Sequence, residues 1–461
     1  MSVAARELKE ALLDVLSHEA RVSDGASELD LHAGDISFHR PRRPDLVVYP
    51  SSTEEVSRVL ALADERRVPV TPFGAGSSLE GHVIPERGGI SLDLSRLDRI
   101  VELSPGDLSA TVQAGVTRSA LERAAGVHGL FFPVDPGADA TLGGMAATNA
   151  AGTTTIRYGK MRANVLALEA VLADGTVIRT GSRAPKTSAG YDLTSLLVGS
   201  EGTLAVITEL RLRLYGIPEH VLAQRISFPT VEAACRTAAA VVAAGSAVTR
   251  LELLDAWTVG AINAHLGTAY AEGPCLLVEA AGTPATVEAD LALVRDLAEA
   301  EGATEVDEER EPEGRARLWA ARHAAAYAAA AASPGRRERS TDTCVPVSEL
   351  AGAVEFARSE AERLGLAAAI LGHAGDGNIH VSLQVDVDDP DELARADELV
   401  ERLVVDALAR SGTCTGEHGI GRGKLRALEL EHGDLIPLLR GIKRLFDPNG
   451  ILNPGKVLRE D

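Results

Sequence analysis

The cleanest alternation of apolar and polar positions is at Val381, Leu383, Val385 and Val387, with Ser382, Gln384 and Asp386 on the other face. That period of two predicts a strand. The apolar run Ala367–Leu371 precedes it, and Asp376-Gly377 between them offers positive-φ residues for a tight reversal, so the stretch is expected to form a hairpin. Near the N-terminus, Leu8, Leu12, Val15 and Leu16 repeat at helical spacing within Met1–Arg21. Leu46–Tyr49 is a predicted strand, Ser52 and Glu55 form a capping box opening a helix over Thr53–Arg66, and Val68–Thr71 is the next strand. A second hairpin, Val165–Leu172 with Thr176–Arg179, turns at Asp174-Gly175 and is followed by a strand over Ala205–Leu214. Beyond Tyr215–Pro218 the pattern changes. Strands at Ile226–Ser227, Thr249–Leu254, Cys275–Glu279 and Thr304–Asp307 and helices at Val231–Ala244 and Val287–Ala300 give the order β-α-β-β-α-β, a split ferredoxin-like arrangement. A helix carrying Leu318, Trp319, Arg322 and Tyr327 follows, then Pro346–Ser348, a helix to Leu364, the hairpin, a helix to about Ser411 and a turn-rich tail.

A chain of 461 residues has room for two or three domains with ample core. Its net charge of −21 argues against nucleic acid and anionic membrane surfaces as partners. Cys235, Cys275, Cys344 and Cys414 are scattered, which indicates neither a disulfide framework nor a Cys-ligated zinc site. The N-terminal pattern is no signal peptide and no apolar run reaches membrane-spanning length, so the expected compartment is cytoplasmic.

The hairpin carries the candidate chemistry. It reads Gly-His-Ala-Gly-Asp-Gly-Asn-Ile-His over Gly372–His380, and a ladder brings His373 and His380 face to face. Two imidazoles so placed can hold a borderline divalent metal ion. A second stretch, Cys414-Thr415-Gly416-Glu417-His418-Gly419-Ile420-Gly421, offers Glu417 to complete a two-His, one-carboxylate set with open coordination positions, and His418 as an acid/base group. Gly416 and Gly419 permit the contorted backbone that lets adjacent side chains serve one site. The alternative is two unrelated Gly-rich turns whose histidines cap or pack.

Three small-residue loops point to a second ligand. Pro72-Phe73-Gly74-Ala75-Gly76-Ser77-Ser78-Leu79 follows a strand and lets backbone N–H groups approach phosphate oxygens, though alone it also reads as an ordinary tight turn. The run from Asp135 to Gly152 includes Pro136, Gly137, Ala138, Thr141, Gly144, Met145, Thr148 and Asn149, and suits an extended ligand lying along the backbone. Tight helix packing would explain its alanines but not Thr148-Asn149. Gly199-Ser200-Glu201-Gly202-Thr203-Leu204 precedes a strand. Three such loops in one domain suggest a large dinucleotide such as FAD.

These motifs resemble one family. Pro72–Gly81, Asp135–Gly152 and Gly199–Thr208 are similar to the FAD-binding domain of the vanillyl-alcohol oxidase/PCMH superfamily. Trp319–Lys456 resembles the FAD-linked oxidase C-terminal domain of D-lactate dehydrogenases (cytochrome type) and of the glycolate oxidase catalytic subunit. Thr341–Pro346 looks closer to the D-lactate enzymes than to those acting on D-2-hydroxyglutarate. The resemblance implies an α+β chain: an N-terminal helical segment over 1–40, a PCMH-type FAD-binding domain over 41–218, a ferredoxin-like α/β cap with the metal site over 219–435, and a tail over 436–461 returning to the FAD domain. It implies that Tyr158, Val165, Glu201, Gly202, Ile207 and Asn453 join the three loops and Gly152 around FAD, with Lys456 close to the flavin. His373, His380 and Glu417 would hold zinc or manganese, His418 would be the base, and Arg322 would pair with the substrate carboxylate. Read without the family, Arg322 is as well explained as a surface helix arginine. Ser77 and Ser78 stand where some superfamily members carry a flavin-linking His, so non-covalent FAD is expected, with His82 nearby.

The implied activity is oxidation of a D-2-hydroxy acid, D-lactate first, to the 2-oxo acid. Glycolate or D-2-hydroxyglutarate is the alternative, and a non-redox flavoenzyme or a cofactor-free metal-binding protein the more distant ones. Expected partners are the hydroxy acid, an external electron acceptor (cytochrome, quinone, electron-transfer flavoprotein or dye) and a second copy of the chain in a homodimer.

Overall fold

In the computed structural model, residues 3–16 and 21–460 are described; the parts of the expected Met1–Arg21 helix at 1–2 and 17–20 lie outside them. The N-terminal helix is Val3–Leu16, and its predicted stripe, Leu8, Leu12 and Leu16, is buried. The chain divides into two units. One runs to Ala151, resumes over Gly159–Ile217 and again from Glu417 onward; the other comprises Gly152–Tyr158 and Pro218–Gly416. The chain thus re-enters the first unit at Glu417, ahead of the sequence-based boundary at 436.

The first unit contains a four-stranded sheet ordered Val22–Ser23, Leu46–Val48, Ile90–Asp93, Val70–Phe73, the last three parallel. The helix Thr53–Arg66 crosses between two of them. Ser52 Oγ accepts from Glu55 N, but the Glu55 carboxylate takes Ser51 N at 2.7 Å rather than Ser52 N, so the cap is one residue wider than a reciprocal box. A five-stranded antiparallel sheet follows, ordered Ile100–Ser104, Ser109–Gln113, Val206–Arg213, Val165–Val171, Val177–Gly181. One continuous apolar core underlies both sheets and includes Ile451 and Leu452 from the C-terminal tail. That tail is fastened by main-chain bonds: Val70 N donates to Ile451 O and Asn453 N to Val70 O, each at 2.8 Å. Val70 opens the strand that runs straight into the Pro72–Leu79 loop, so the tail and that loop share one support.

The second unit is built on one antiparallel sheet. Its strands run Glu305–Glu309, His220–Ser227, Cys275–Gly282, Val248–Leu254, then Ala367–His373, Asn378–Val385 and Arg337–Ser340. The first four, numbered by chain position, lie in the order 4-1-3-2 with helices Val231–Ala243 and Pro284–Ala300 connecting, which is the ferredoxin-like arrangement read from the sequence. An additional helix, Ala256–Leu266, joins the second strand to the third. The predicted hairpin extends the sheet from the edge of Val248–Leu254.

The hairpin's turn is tighter in its demands than expected. Only Gly377, at φ +81°, takes a positive φ; Asp376 does not. A Cβ on Gly377 would lie 1.9 Å from the Val345 carbonyl oxygen. Gly377→Ala therefore combines a left-handed backbone with a clash that only backbone movement relieves, and is expected to cost about 2 kcal/mol or more. A urea-unfolding midpoint equal to that of the parent would contradict this.

Candidate active site

A cleft opens in the first unit; its non-atom space, open solvent included, is about 1260 Å³. Its walls are the three small-residue loops. Pro72, Gly74, Ala75, Gly76, Ser77, Ser78 and Leu79 line one side; Pro136, Ala138, Thr141, Gly144, Met145 and Thr148 another; Glu201, Gly202 and Ile207 a third. Glu417, His418 and Asn453 also face it. The loops abut so closely that side chains are excluded: a Cβ on Gly74 would lie 2.5 Å from Thr141 Oγ1, and one on Gly202 2.9 Å from Pro72 Cγ. Leu142–Thr148 is a short helix capped by Thr141, and Gly143 packs its backbone on Ala114, as the helix-packing alternative implies. Small residues there serve helix packing and cleft wall together.

Several expected cofactor contacts are not among the residues that line the cleft. Gly137 is in a turn with open space around it. Asn149 is the left-handed C-cap of the short helix, and its Oδ1 accepts from Arg162 N. Val165 opens a sheet strand, and neither it nor Gly152 nor Tyr158 is among the residues that line the cleft. Lys456 does not line the cleft. Its Nζ is buried and donates to Ile84 O at 2.7 Å, and burial, opposed by Glu86, pulls its pKa down to about 8.

At one end of the cleft sits a buried polar knot. His82 Nε2 lies 3.2 Å from Glu201 Oε2, off hydrogen-bond geometry but close enough to pair in charge. Burial disfavours the imidazolium, yet Glu201 outweighs it and raises the His82 pKa; burial likewise opposes ionisation of Glu201, and His82 with two backbone N–H groups holds it ionised. Asn453 Nδ2 donates to Glu201 O at 2.7 Å and His82 O at 3.1 Å. His82 and Asn453 line the cleft, and their Nδ1 and Oδ1 atoms are buried with no hydrogen-bond partner among the described residues. Such atoms suit a polar ligand's edge, so the cleft fits a large, partly polar cofactor.

In the second unit, Leu371 pairs with His380 and His373 with Asn378, which puts both histidines on one face of the hairpin as diagonal neighbours. Both are buried, and their rings meet edge-on with centroids 5.4 Å apart. His373 Nδ1 is 2.7 Å from Glu252 Oε1, and His380 Nδ1 is 3.2 Å from Thr341 O, contacts that fix both rings. Glu252 Oε2 also accepts from Arg322 Nε at 2.9 Å and forms an ion pair with its Nη2 at 2.7 Å. Burial alone would neutralise Glu252, but His373 and Arg322 keep its pKa low. Arg322 is only 8% exposed, which removes the reading of it as a surface arginine. Asn378 Nδ2 donates to Asp342 Oδ1 at 2.7 Å, Thr415 Oγ1 donates to Asp342 Oδ2 at 2.6 Å, and Gly416 packs against the Asn378 side chain. The stretch of chain that next becomes Glu417 is therefore anchored at the turn end of the hairpin.

Glu252, Asp342 and the Glu201 side chain were not identified as supporting groups from the sequence. For Glu252 a signal existed: an acid at an interior position of the strand Leu251-Glu252-Leu253-Leu254 needs a buried partner.

Comparison with known proteins identifies the family. The family described as FAD linked oxidases, C-terminal domain, matches residues 217–457, and FAD binding domain matches 44–181. The chain is 44% identical to "Probable D-lactate dehydrogenase, mitochondrial" of Danio rerio over 95% of its length and 89% of that protein. It is 41% identical to "D-lactate dehydrogenase [cytochrome], mitochondrial" of Arabidopsis thaliana (92% and 75% covered) and 35% identical to "Glycolate oxidase subunit GlcD" of Bacillus subtilis (99% and 97%). Among solved structures, p-cresol methylhydroxylase with substrate bound superposes at TM-score 0.83 and 16% identity, covering 100% and 99% of the two chains, a likeness of fold. The cytoplasmic expectation is overturned, since the Danio and Arabidopsis relatives are named mitochondrial. No helix of the described residues is long and apolar enough to cross a membrane, but that property is common to enzymes of many compartments and does not decide between them.

Proposed function

The chain belongs to the FAD-linked oxidase family, and from that membership we propose that it oxidises a D-2-hydroxy acid, D-lactate first, to the 2-oxo acid and passes the electrons to an external acceptor. It is an FAD-dependent dehydrogenase of the D-lactate dehydrogenase type, related also to the glycolate oxidase family. The observation that carries the substrate reading is the buried Arg322–Glu252–His373 array beside His380. A guanidinium and a pair of oriented imidazoles on one face are what a short carboxylate with an adjacent hydroxyl calls for.

His373, His380 and Glu417 are proposed as ligands of a zinc or manganese ion, a two-imidazole, one-carboxylate set. With Nδ1 of each ring turned to Glu252 and Thr341 O, Nε2 is proposed as the coordinating atom. A divalent cation there supplies a Lewis acid that lowers the pKa of the substrate hydroxyl. FAD supplies the two-electron acceptor for hydride leaving Cα. The residues do the rest. Arg322, its Nε and one Nη on Glu252, orients the substrate carboxylate. His418, which lines the cleft, takes the hydroxyl proton, so that loss of one proton and one hydride leaves the oxo acid.

FAD is proposed to be held without a covalent link, because serines occupy 77 and 78 on the cleft wall. Acid precipitation is expected to release all flavin into the supernatant. Yellow colour retained in the pellet would contradict this and direct attention to His82. The substrate assignment is tested by initial rates of dye reduction with D-lactate, glycolate and D-2-hydroxyglutarate; D-lactate is expected to give the highest kcat/KM, and a higher value with glycolate would favour the glycolate oxidase reading.

A further inference from the structure

Glu201 stands in the first unit where four segments meet. Its Oε1 accepts from Ile420 N and its Oε2 from Gly421 N, both at 2.7 Å. The imidazole of His82 flanks the same carboxylate, and the Glu201 main-chain oxygen takes Asn453 Nδ2. The backbone at Glu201 is left-handed, φ +55°, followed by Gly202 at φ +70°. Glycine would be easier there, so the side chain is retained against the preference of the backbone. The carboxylate grips the two residues after Gly419, whose own φ of +82° turns the chain directly behind His418. A Cβ on Gly419 would lie 2.7 Å from Glu201 Oε1 and 2.9 Å from His82 Nε2, so this turn is seated against the His82–Glu201 pair with no slack.

We propose that Glu201, braced by His82, is the positioning residue for His418: its carboxylate clamps the Ile420 and Gly421 amides and so fixes where the imidazole two residues earlier presents its nitrogen to the cleft. The inference rests on the reading of His418 as the base. Two short bonds from one buried carboxylate to consecutive amides form a rigid bidentate cap. Glutamine cannot replace it, because one of the two amides would then face an NH2 group.

Two variants and a double variant test this, each followed by anaerobic flavin reduction with D-lactate in the full-length holoenzyme. E201Q is expected to keep its FAD and a D-lactate KM near the parent's, while the limiting rate of flavin reduction falls by about 10²-fold, the size expected when a reacting group is displaced by about 1 Å. G419A, which leaves Glu201 in place but pushes into its carboxylate, is expected to do the same. In the H418N background E201Q is expected to add less than about a two-fold loss, because a residue acting through His418 has nothing left to position. A parent-like rate in E201Q while H418N is slow would overturn this inference and leave the reading of His418 intact. Losses that multiply in the double variant, or loss of FAD from both E201Q and G419A, would overturn it in favour of an independent or cofactor-holding role. A parent-like rate in H418N would sink the underlying reading itself.

Discussion

His418→Asn is expected to retain FAD and to slow flavin reduction by D-lactate by about 10²–10⁴-fold, the range for losing a general base. Asparagine is close in size and polar, so the cleft wall at that position keeps its shape while the group that accepts the proton is gone. His418 lies in a loop whose next residues are held by Glu201 through two 2.7 Å bonds, and nothing in the substitution disturbs those amides. The loss therefore falls on the limiting rate rather than on cofactor content. The measurement is the observed rate of flavin bleaching at saturating D-lactate, with FAD content taken from the absorbance of the same sample. A parent-like rate would place the base elsewhere.

Removing the metal is expected to have the second large effect. Treatment with a strong chelator is expected to abolish flavin reduction by D-lactate while FAD stays bound, because none of the proposed ligands His373, His380 and Glu417 belongs to the three small-residue loops, although Glu417 faces the cleft. Zn²⁺ or Mn²⁺ is expected to restore the rate. Glu417→Gln is expected to lower metal content, since a neutral amide is a poorer ligand for a dication than a carboxylate, whereas His418→Asn keeps it. Elemental analysis decides between them. Full activity in a preparation shown to be metal-free would overturn the ligand assignment, and metal lost from His418→Asn but kept by Glu417→Gln would require exchanging the two roles.

Much of the site was legible because its signals are local. The hairpin was carried by alternation over Val381–Val385, with Val387 lying beyond the strand, and by a glycine at the one position whose φ demands it, Gly377. The ferredoxin-like order followed from apolar strands and helices of ordinary length between clear breaks. The three loops were legible because long runs of small residues are rare outside close backbone packing. What escaped depends on distance in the chain. Glu252 meets His373 across 121 residues and Arg322 across 70, and Glu201 meets the 420–421 amides across more than two hundred. The strands Ile90–Asp93, Ile100–Ser104 and Ser109–Gln113 are short and carry buried polar residues such as Ser91, Thr111 and Gln113, so no period of two stands out. Gly152–Tyr158 looks continuous with the helix before it, yet packs on the Val248–Leu254 strand of the second unit. The compartment was misread because it was drawn from the lack of a signal-peptide pattern and of a membrane-spanning run, which does not separate the cytoplasm from an organelle.

The central claim, FAD-dependent oxidation of a D-2-hydroxy acid, is tested most directly by mixing the oxidised protein anaerobically with D-lactate and with L-lactate and following the flavin absorbance. Full bleaching by D-lactate, with the L-enantiomer far slower, is the predicted result. An oxidised spectrum left unchanged by D-lactate, glycolate and D-2-hydroxyglutarate alike would contradict the account.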